Sequence, residues 1–198
     1  ACAPFRRLHL CDYNLEKMGR TSTTKHDLLA EVCMAAKYEG DSIKTHYTIH
    51  QQKYGDSQIC TELARSFADI GDIVRGRDLY LGNPQEKGKR EKLEENLKRI
   101  FGDIYNDVTR TATSGKNGQK SAEAQNRYKD NEGNYYQLRE DWWTANRHTV
   151  WEALTCEVGS GTYFRHTCNG GNITYNKCRC EGANVNIVPT YFDYVPQF

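Results

Sequence analysis

The sequence predicts a mainly α-helical fold: a four-helix-bundle-like central subdomain with a disulfide-stapled, irregular N-terminal part and a Cys-rich loop region. Three observations carry that expectation. Four segments repeat apolar residues at three- and four-residue steps, each giving one buried face. Glycine, asparagine and proline punctuate the gaps between them. Half of the eight cysteines crowd between Cys156 and Cys180, where the helical period stops.

At 198 residues the chain is long enough for one real core. Aliphatic residues are modest, but 13 Tyr and 3 Trp supply apolar area. Lys plus Arg (27) against Asp plus Glu (26) leaves +1, which argues against a dedicated nucleic-acid binder. No stretch approaches the roughly 18 apolar residues that cross a bilayer, and no secretory leader stands at Ala1. Both ends read as cut from something longer.

Residues 1–20 hold Cys2, Pro4, Cys11 and Gly19 with little periodicity, so a stapled, irregular lead-in is expected. Thr24, three residues before Asp27, marks a helix start. Leu28, Leu29, Val32, Cys33 and Ala36 give it an apolar face, Gly40 is expected to end it, and a polar loop should follow over 41–56. A second helix is expected over 57–74, with Ile59, Leu63, Phe67, Ile70 and Val74 on its stripe and Asp69 and Asp72 on a solvated face.

Gly76 and the Gly82-Asn83-Pro84 turn separate it from a third helix over 85–108. There Leu93, Leu97, Ile100, Phe101, Ile104, Tyr105 and Val108 keep to one side, and Lys87, Lys89, Arg90, Lys92, Glu94, Glu95, Lys98 and Arg99 to the other. Residues 109–134 lack an apolar period and read as a loop with a short helical turn near 122–128. A fourth helix over 135–155 carries Leu138, Trp142, Val150 and Leu154. Four one-faced helices pack most simply as a bundle.

Eight cysteines in a domain of this size favour disulfides and an oxidising compartment. Zinc on Cys156, Cys168, Cys178 and Cys180 is the alternative, but only Cys178 and Cys180 are tightly spaced and no C-x-x-C knuckle occurs. Sequence motifs for catalysis are missing: no HExxH, no G-x-S-x-G and no phosphate-cradling glycine loop. Of six histidines only His46 and His50 share an i,i+4 spacing, in a segment without helical pattern, so a metal pair is not expected there. Arg147 and His148 follow two tryptophans, where core and rim packing is the simpler reading than a cation–π shelf. No enzyme activity, cofactor or metal is expected. Asn172-Ile173-Thr174 is a glycosylation sequon.

Basic clusters are the binding candidates: Arg6/Arg7, Arg75/Arg77, the run from Lys87 to Arg99, and Lys116/Lys120. Such clusters hold sulfated or sialylated glycans through point-charge and fork contacts. The plain alternative for each is a solvated surface.

A set of motifs, in order and spanning nearly the whole chain, resembles one family. They are the runs Ala1–Cys11, Val32–Gly40, Ala64–Gly76 and Arg77–Gly82, then Trp142-Trp143 with Trp151–Cys156, Cys178-Arg179-Cys180, and Val188–Phe198. These resemble the Duffy-binding-like (DBL) domains of the Plasmodium falciparum erythrocyte membrane protein family, and the Asp12–Glu16 stretch looks most like the alpha type.

The resemblance implies a variant surface antigen at the extracellular face of the infected erythrocyte membrane, anchored through a distant segment outside this chain. It implies adhesion to a red-cell glycan, such as heparan sulfate or a blood-group sugar, or to a receptor, in rosetting. An antigenically variable spacer is the alternative. Residues 1–20 would be the remnant of a stapled N-terminal subdomain, 21–186 the helical central subdomain, and 187–198 the start of a C-terminal one. The glycan-binding candidates are Lys87, Lys89, Arg90, Lys92, Lys98, Arg99, Lys116 and Lys120. Cys33, Cys60, Cys156, Cys168, Cys178 and Cys180 are expected to pair among themselves. By resemblance Cys60 should reach the Cys178/Cys180 region, whereas the pairing of Cys2 and Cys11 stays open.

Overall fold

The computed structural model describes residues 24–53, 58–78, 84–110, 116–159, 161–168, 171–174, 176–182 and 186–195. The sequence readings for Cys2, Arg6, Arg7 and Cys11 lie outside these residues. Among the described residues five helices follow in order: α1 (Lys25–Lys53), α2 (Ile59–Arg75), α3 (Pro84–Thr109), α4 (Lys116–Tyr128) and α5 (Tyr136–Leu154). A 3-10 turn, Phe192–Tyr194, closes the described chain. Among the described residues there is no strand, only two isolated bridges, Cys168 with Asn172 and Asn176 with Arg179.

α1 starts at its cap. Asp27 Oδ2 accepts from the Thr24 N–H and hydroxyl at 2.9 Å, and Thr24 Oγ1 accepts the Asp27 N–H at 3.3 Å. This reciprocal pair satisfies donors that a helix start leaves open. Gly40 does not end the helix, and most of the expected 41–56 loop is helical, through Lys53. The reason is packing. A Cβ at position 40 would sit 2.0 Å from the Leu154 carbonyl oxygen, so the glycine lets α1 touch the end of α5. Beyond it, Thr45 Oγ1 donates to Asp41 O and His46 Nδ1 lies 2.8 Å from Ser42 O, so polar side chains fold back on their own helix.

α2 is buried almost all round, beyond its predicted stripe. Ser66, Asp69 and Arg75 are buried with Leu63, Phe67, Ile70 and Val74. The expected solvated face for Asp69 and Asp72 is thus overturned. Asp69 is 2% exposed, and Asp72 turns its carboxylate to Arg75 at 2.9 Å. Gly76 terminates the helix at φ 71°, with the Arg77 N–H returning to Asp72 O at 2.8 Å.

Phe67 of α2 sits between Trp143 and Trp151 of α5, each ring centroid 5.1 Å away, and Phe101 of α3 meets Trp142 edge-on. α4 is a full helix where only a short turn was expected. It is tied to the end of α3 by Ser121 Oγ to Arg110 O and Gln125 Nε2 to Thr109 O.

Two disulfides staple the Cys-rich segment, Cys60–Cys178 and Cys168–Cys180. The first fulfils the expectation for Cys60. Its 118-residue closure is worth roughly 4–5 kcal/mol on the chain-entropy view. Cys33 and Cys156 are unbonded, which departs from the pairing expected for all six. Cys33 is half-buried on the α1 face, and Cys156 is exposed past the end of α5. With Cys168, Cys178 and Cys180 committed to sulfur bonds, a four-thiolate zinc site has too few ligands left.

Candidate functional site

The candidate residues on α3 divide by helical geometry into two flanks. Lys87, Arg90, Glu91, Glu94 and Lys98 line a cavity of about 440 Å³ with Ile73, Gly76, Asp78, Glu95 and Tyr136. Charges there neutralise one another. Lys87 meets Glu91 at 3.7 Å, Arg90 pairs with Asp78, and Glu94 takes a bidentate pair from Arg139 at 2.7 and 2.9 Å. Arg139 is fully buried, and its guanidinium also donates to the carbonyls of Val74 and Ile73. Glu94 is therefore part of the scaffold that ties α3 to α2 and α5.

The other flank carries Lys89, Lys92, Asn96 and Arg99, which fall within about 80° of arc at 100° per residue. Lys89, Lys92 and Arg99 are exposed, and no described carboxylate forms an ion pair with them. They span about 15 Å along the axis at the α-helical rise. Asp103 ends this basic row at its C-terminal side, and exposed Arg110 lies beyond. Lys116 and Lys120 sit in the first turns of α4 by backbone, and that helix packs on α3. The structure thus separates the six α3 candidates into an ion-paired or mixed group and an open basic row.

Arg75 and Arg77 also part company. Arg75 is 1% exposed and serves as a hub, reaching Asp72, Glu140 and the carbonyls of Gly71 and Asp193. Arg77 is exposed and meets Glu140 at 2.9 Å. Burial pushes the Asp72 carboxyl up to about 6, with the Arg75 charge opposing the rise.

Sequence reasoning missed the surface made by the C-terminal segment. Asp193 is buried and holds Arg147 through two 2.8 Å contacts, while Trp143 Nε1 donates to the same carboxylate at 2.9 Å. The Arg147 guanidinium lies against the rings of Phe67, Tyr191 and Tyr194, so it is core packing and cation–π contact at once. His148 is exposed. His46 lies on a helix, contrary to the expected patternless segment, and among the described residues no cluster of three His, Cys, Asp or Glu side chains is placed to hold a metal ion. Asn172 of the sequon is exposed, but the Thr174 hydroxyl is buried and accepts the Tyr163 N–H.

The model of the Duffy binding domain matches residues 1–198. The chain belongs to the Duffy binding domain family. Its fold agrees with solved Duffy-binding domains of Plasmodium falciparum PfEMP1. The NTS-DBL1-alpha and CIDR-gamma double domain of the varO strain is 44% identical with a TM-score of 0.74; all of this chain matches 26% of that one. The NTS-DBL1(alpha-1) domain of the same strain is 40% identical with a TM-score of 0.67, over 41% of its length. A DBLb domain of another PfEMP1, bound to human ICAM-1, is 28% identical with a TM-score of 0.60, and 97% of this chain matches 37% of it. The alpha-type reading of the sequence agrees with the first two. The chain spans between a quarter and two fifths of these relatives. No curated protein matched.

Proposed function

We propose that this Duffy-binding domain is an adhesion module without catalytic activity, displayed on the extracellular face of the infected erythrocyte, that binds a host red-cell surface. The contact we assign is an anionic glycan of the heparan-sulfate type, laid along Lys89, Lys92 and Arg99 of α3. One observation carries this reading: those three cations share an exposed flank, while Lys87, Arg90 and Lys98 face a cavity rich in carboxylates. A polyanion gains from a row of like charge and loses beside Glu91, while Glu95, four residues before Arg99, stands at the border of the two flanks. Kinship with a DBLb domain solved with ICAM-1 supports host-surface binding as the class of function. On the same reading, residues 1–20 and 187–198 open onto flanking subdomains of a membrane-anchored protein.

The test is retention of the disulfide-intact chain on immobilised heparin across a salt series. Affinity should fall several-fold between low and physiological salt, as screened surface charge requires. Salt-independent retention, or none, contradicts the assignment and leaves the variable-spacer reading in its place.

A further inference from the structure

The Asn172-Ile173-Thr174 sequon lies wholly inside a covalent ring, because the Cys168–Cys180 bond closes residues 168–180 around it. Within that ring the backbone at the acceptor is folded on itself. The Asn172 N–H donates to Cys168 O at 2.6 Å, the Cys168 N–H returns to Asn172 O at 3.0 Å, and the Gly171 N–H donates to Cys168 O at 3.1 Å. Gly171 takes φ 138°, a value open to glycine, and the chain reverses there immediately before the acceptor. The third residue is closed off as well. Thr174 is 0% exposed, and its Oγ1 accepts the Tyr163 N–H at 2.7 Å.

The ring is fixed to the bundle. Cys178, inside it, is bonded to Cys60 of α2, its N–H donates to Gly161 O at 3.2 Å, and its carbonyl accepts from Trp151 Nε1 of α5 at 3.1 Å. Tyr163, which holds Thr174, is itself buried and its hydroxyl lies 3.1 Å from Thr190 Oγ1. Freeing Thr174 therefore breaks a buried hydrogen bond and moves a segment that two disulfides restrain.

Sugar transfer to asparagine demands a hydroxyl two residues on, so the transferase reads the threonine side chain as well as the asparagine. In that transfer the carboxamide nitrogen bonds the anomeric carbon of a lipid-diphosphate-linked sugar. The bond from that carbon to the diphosphate oxygen breaks, the lipid diphosphate leaves, and one amide proton passes to a base of the transferase. The folded chain offers only part of such an acceptor. The Thr174 hydroxyl is sequestered, and the Asn172 N–H and C=O are spent on Cys168.

We propose that Asn172 is a glycan-acceptor site gated by disulfide formation: it takes a sugar from a lipid-diphosphate donor before Cys168–Cys180 closes and not after. Ring closure and modification are thus ordered events, and occupancy of Asn172 records which came first. This gating is independent of the adhesion reading.

The test incubates three acceptors with a purified oligosaccharyltransferase and its lipid-linked oligosaccharide: the disulfide-intact chain, the same chain reduced and alkylated, and a peptide of residues 170–176. Occupancy of Asn172 is read by peptide mass spectrometry. The peptide and the reduced chain should be modified, and the intact chain about tenfold less or lower still, the scale of one buried hydrogen bond opened before reaction. A Cys168→Ser, Cys180→Ser variant, which keeps the Cys60–Cys178 bond, should regain occupancy while its helical circular dichroism stays that of the parent chain. Equal occupancy of the intact chain and the peptide overturns the proposal. So does a reduced chain or a peptide that accepts no sugar, and so does a ring-opened variant as unreactive as the intact chain.

Discussion

Arg147 of α5 and Asp193 of the C-terminal segment, 46 residues apart, form a buried two-pronged ion pair, Nε to Oδ2 and Nη2 to Oδ1, both at 2.8 Å. Trp143 Nε1 and the Thr190 carbonyl complete the hydrogen bonding around the pair. This clamp sets the 3-10 turn on the bundle, and with it the positions of Tyr191 and Tyr194.

Breaking the clamp from one side should be costly. Asp193→Ala leaves a buried guanidinium without its counter-charge, so urea unfolding should show a loss of about 3–5 kcal/mol. Removing both charges, as Arg147→Met with Asp193→Leu, should cost less than Asp193→Ala alone. A loss below about 1 kcal/mol for Asp193→Ala would mean that the pair is solvated.

Gly40 makes a sharper steric prediction. Gly40→Ala drives a methyl into the Leu154 carbonyl, backbone against backbone, so α1 and α5 must separate. The expected destabilisation is about 1–3 kcal/mol or more, as for overpacking. Gly88→Ala, which meets nothing within 4 Å, should stabilise by a few tenths of a kcal/mol up to about 1.

Much of this fold was legible in the sequence, and the failures share a cause. α2, α3 and α5 were readable because Leu63, Leu97 and Trp142 recur at helical steps. Gly40 misled because a glycine that stops a helix and one that admits a neighbouring backbone look alike in a string. Asp69 and Asp72 misled because off-stripe carboxylates are normally solvated, whereas α2 is enclosed by α1, α5 and the C-terminal turn. The partition of the α3 cations could have been drawn from 100° spacing alone. The clamp on the C-terminal turn could not, since Arg147 and Asp193 meet from segments 46 residues apart with no local pattern to join them.

Asp72 gives the pH dependence. Its native carboxyl titrates near 6 against an ordinary 3.8, chiefly because burial disfavours the charge. A raised carboxyl binds its proton more readily in the native state, so this group favours folding more as pH falls from about 6 toward 4. Asp72→Asn should remove that part of the slope, so the melting temperature at pH 5 minus that at pH 7 should be lower in the variant than in the parent chain. An unchanged difference would contradict the burial of this carboxyl.

The two thiols should differ in reactivity. Cys156 is exposed, while burial, aided by Glu152, pushes the Cys33 thiol up to about 11. At neutral pH a maleimide should modify Cys156 quickly and Cys33 only on unfolding, as read by peptide mass spectrometry. Protection of both in the unreduced protein would mean that they are bonded, as the sequence reading expected.

The central claim is that the open row on α3, not basic charge in general, makes the adhesive contact. The most direct measurement compares two variants on red cells and on heparin: Lys89→Gln, Lys92→Gln, Arg99→Gln against Lys87→Gln, Lys98→Gln. The first should lose about tenfold or more on heparin, at roughly half to one kcal/mol per exposed contact, and the second should stay near wild type. Equal losses, or a larger loss from the Lys87 and Lys98 pair, would contradict the account.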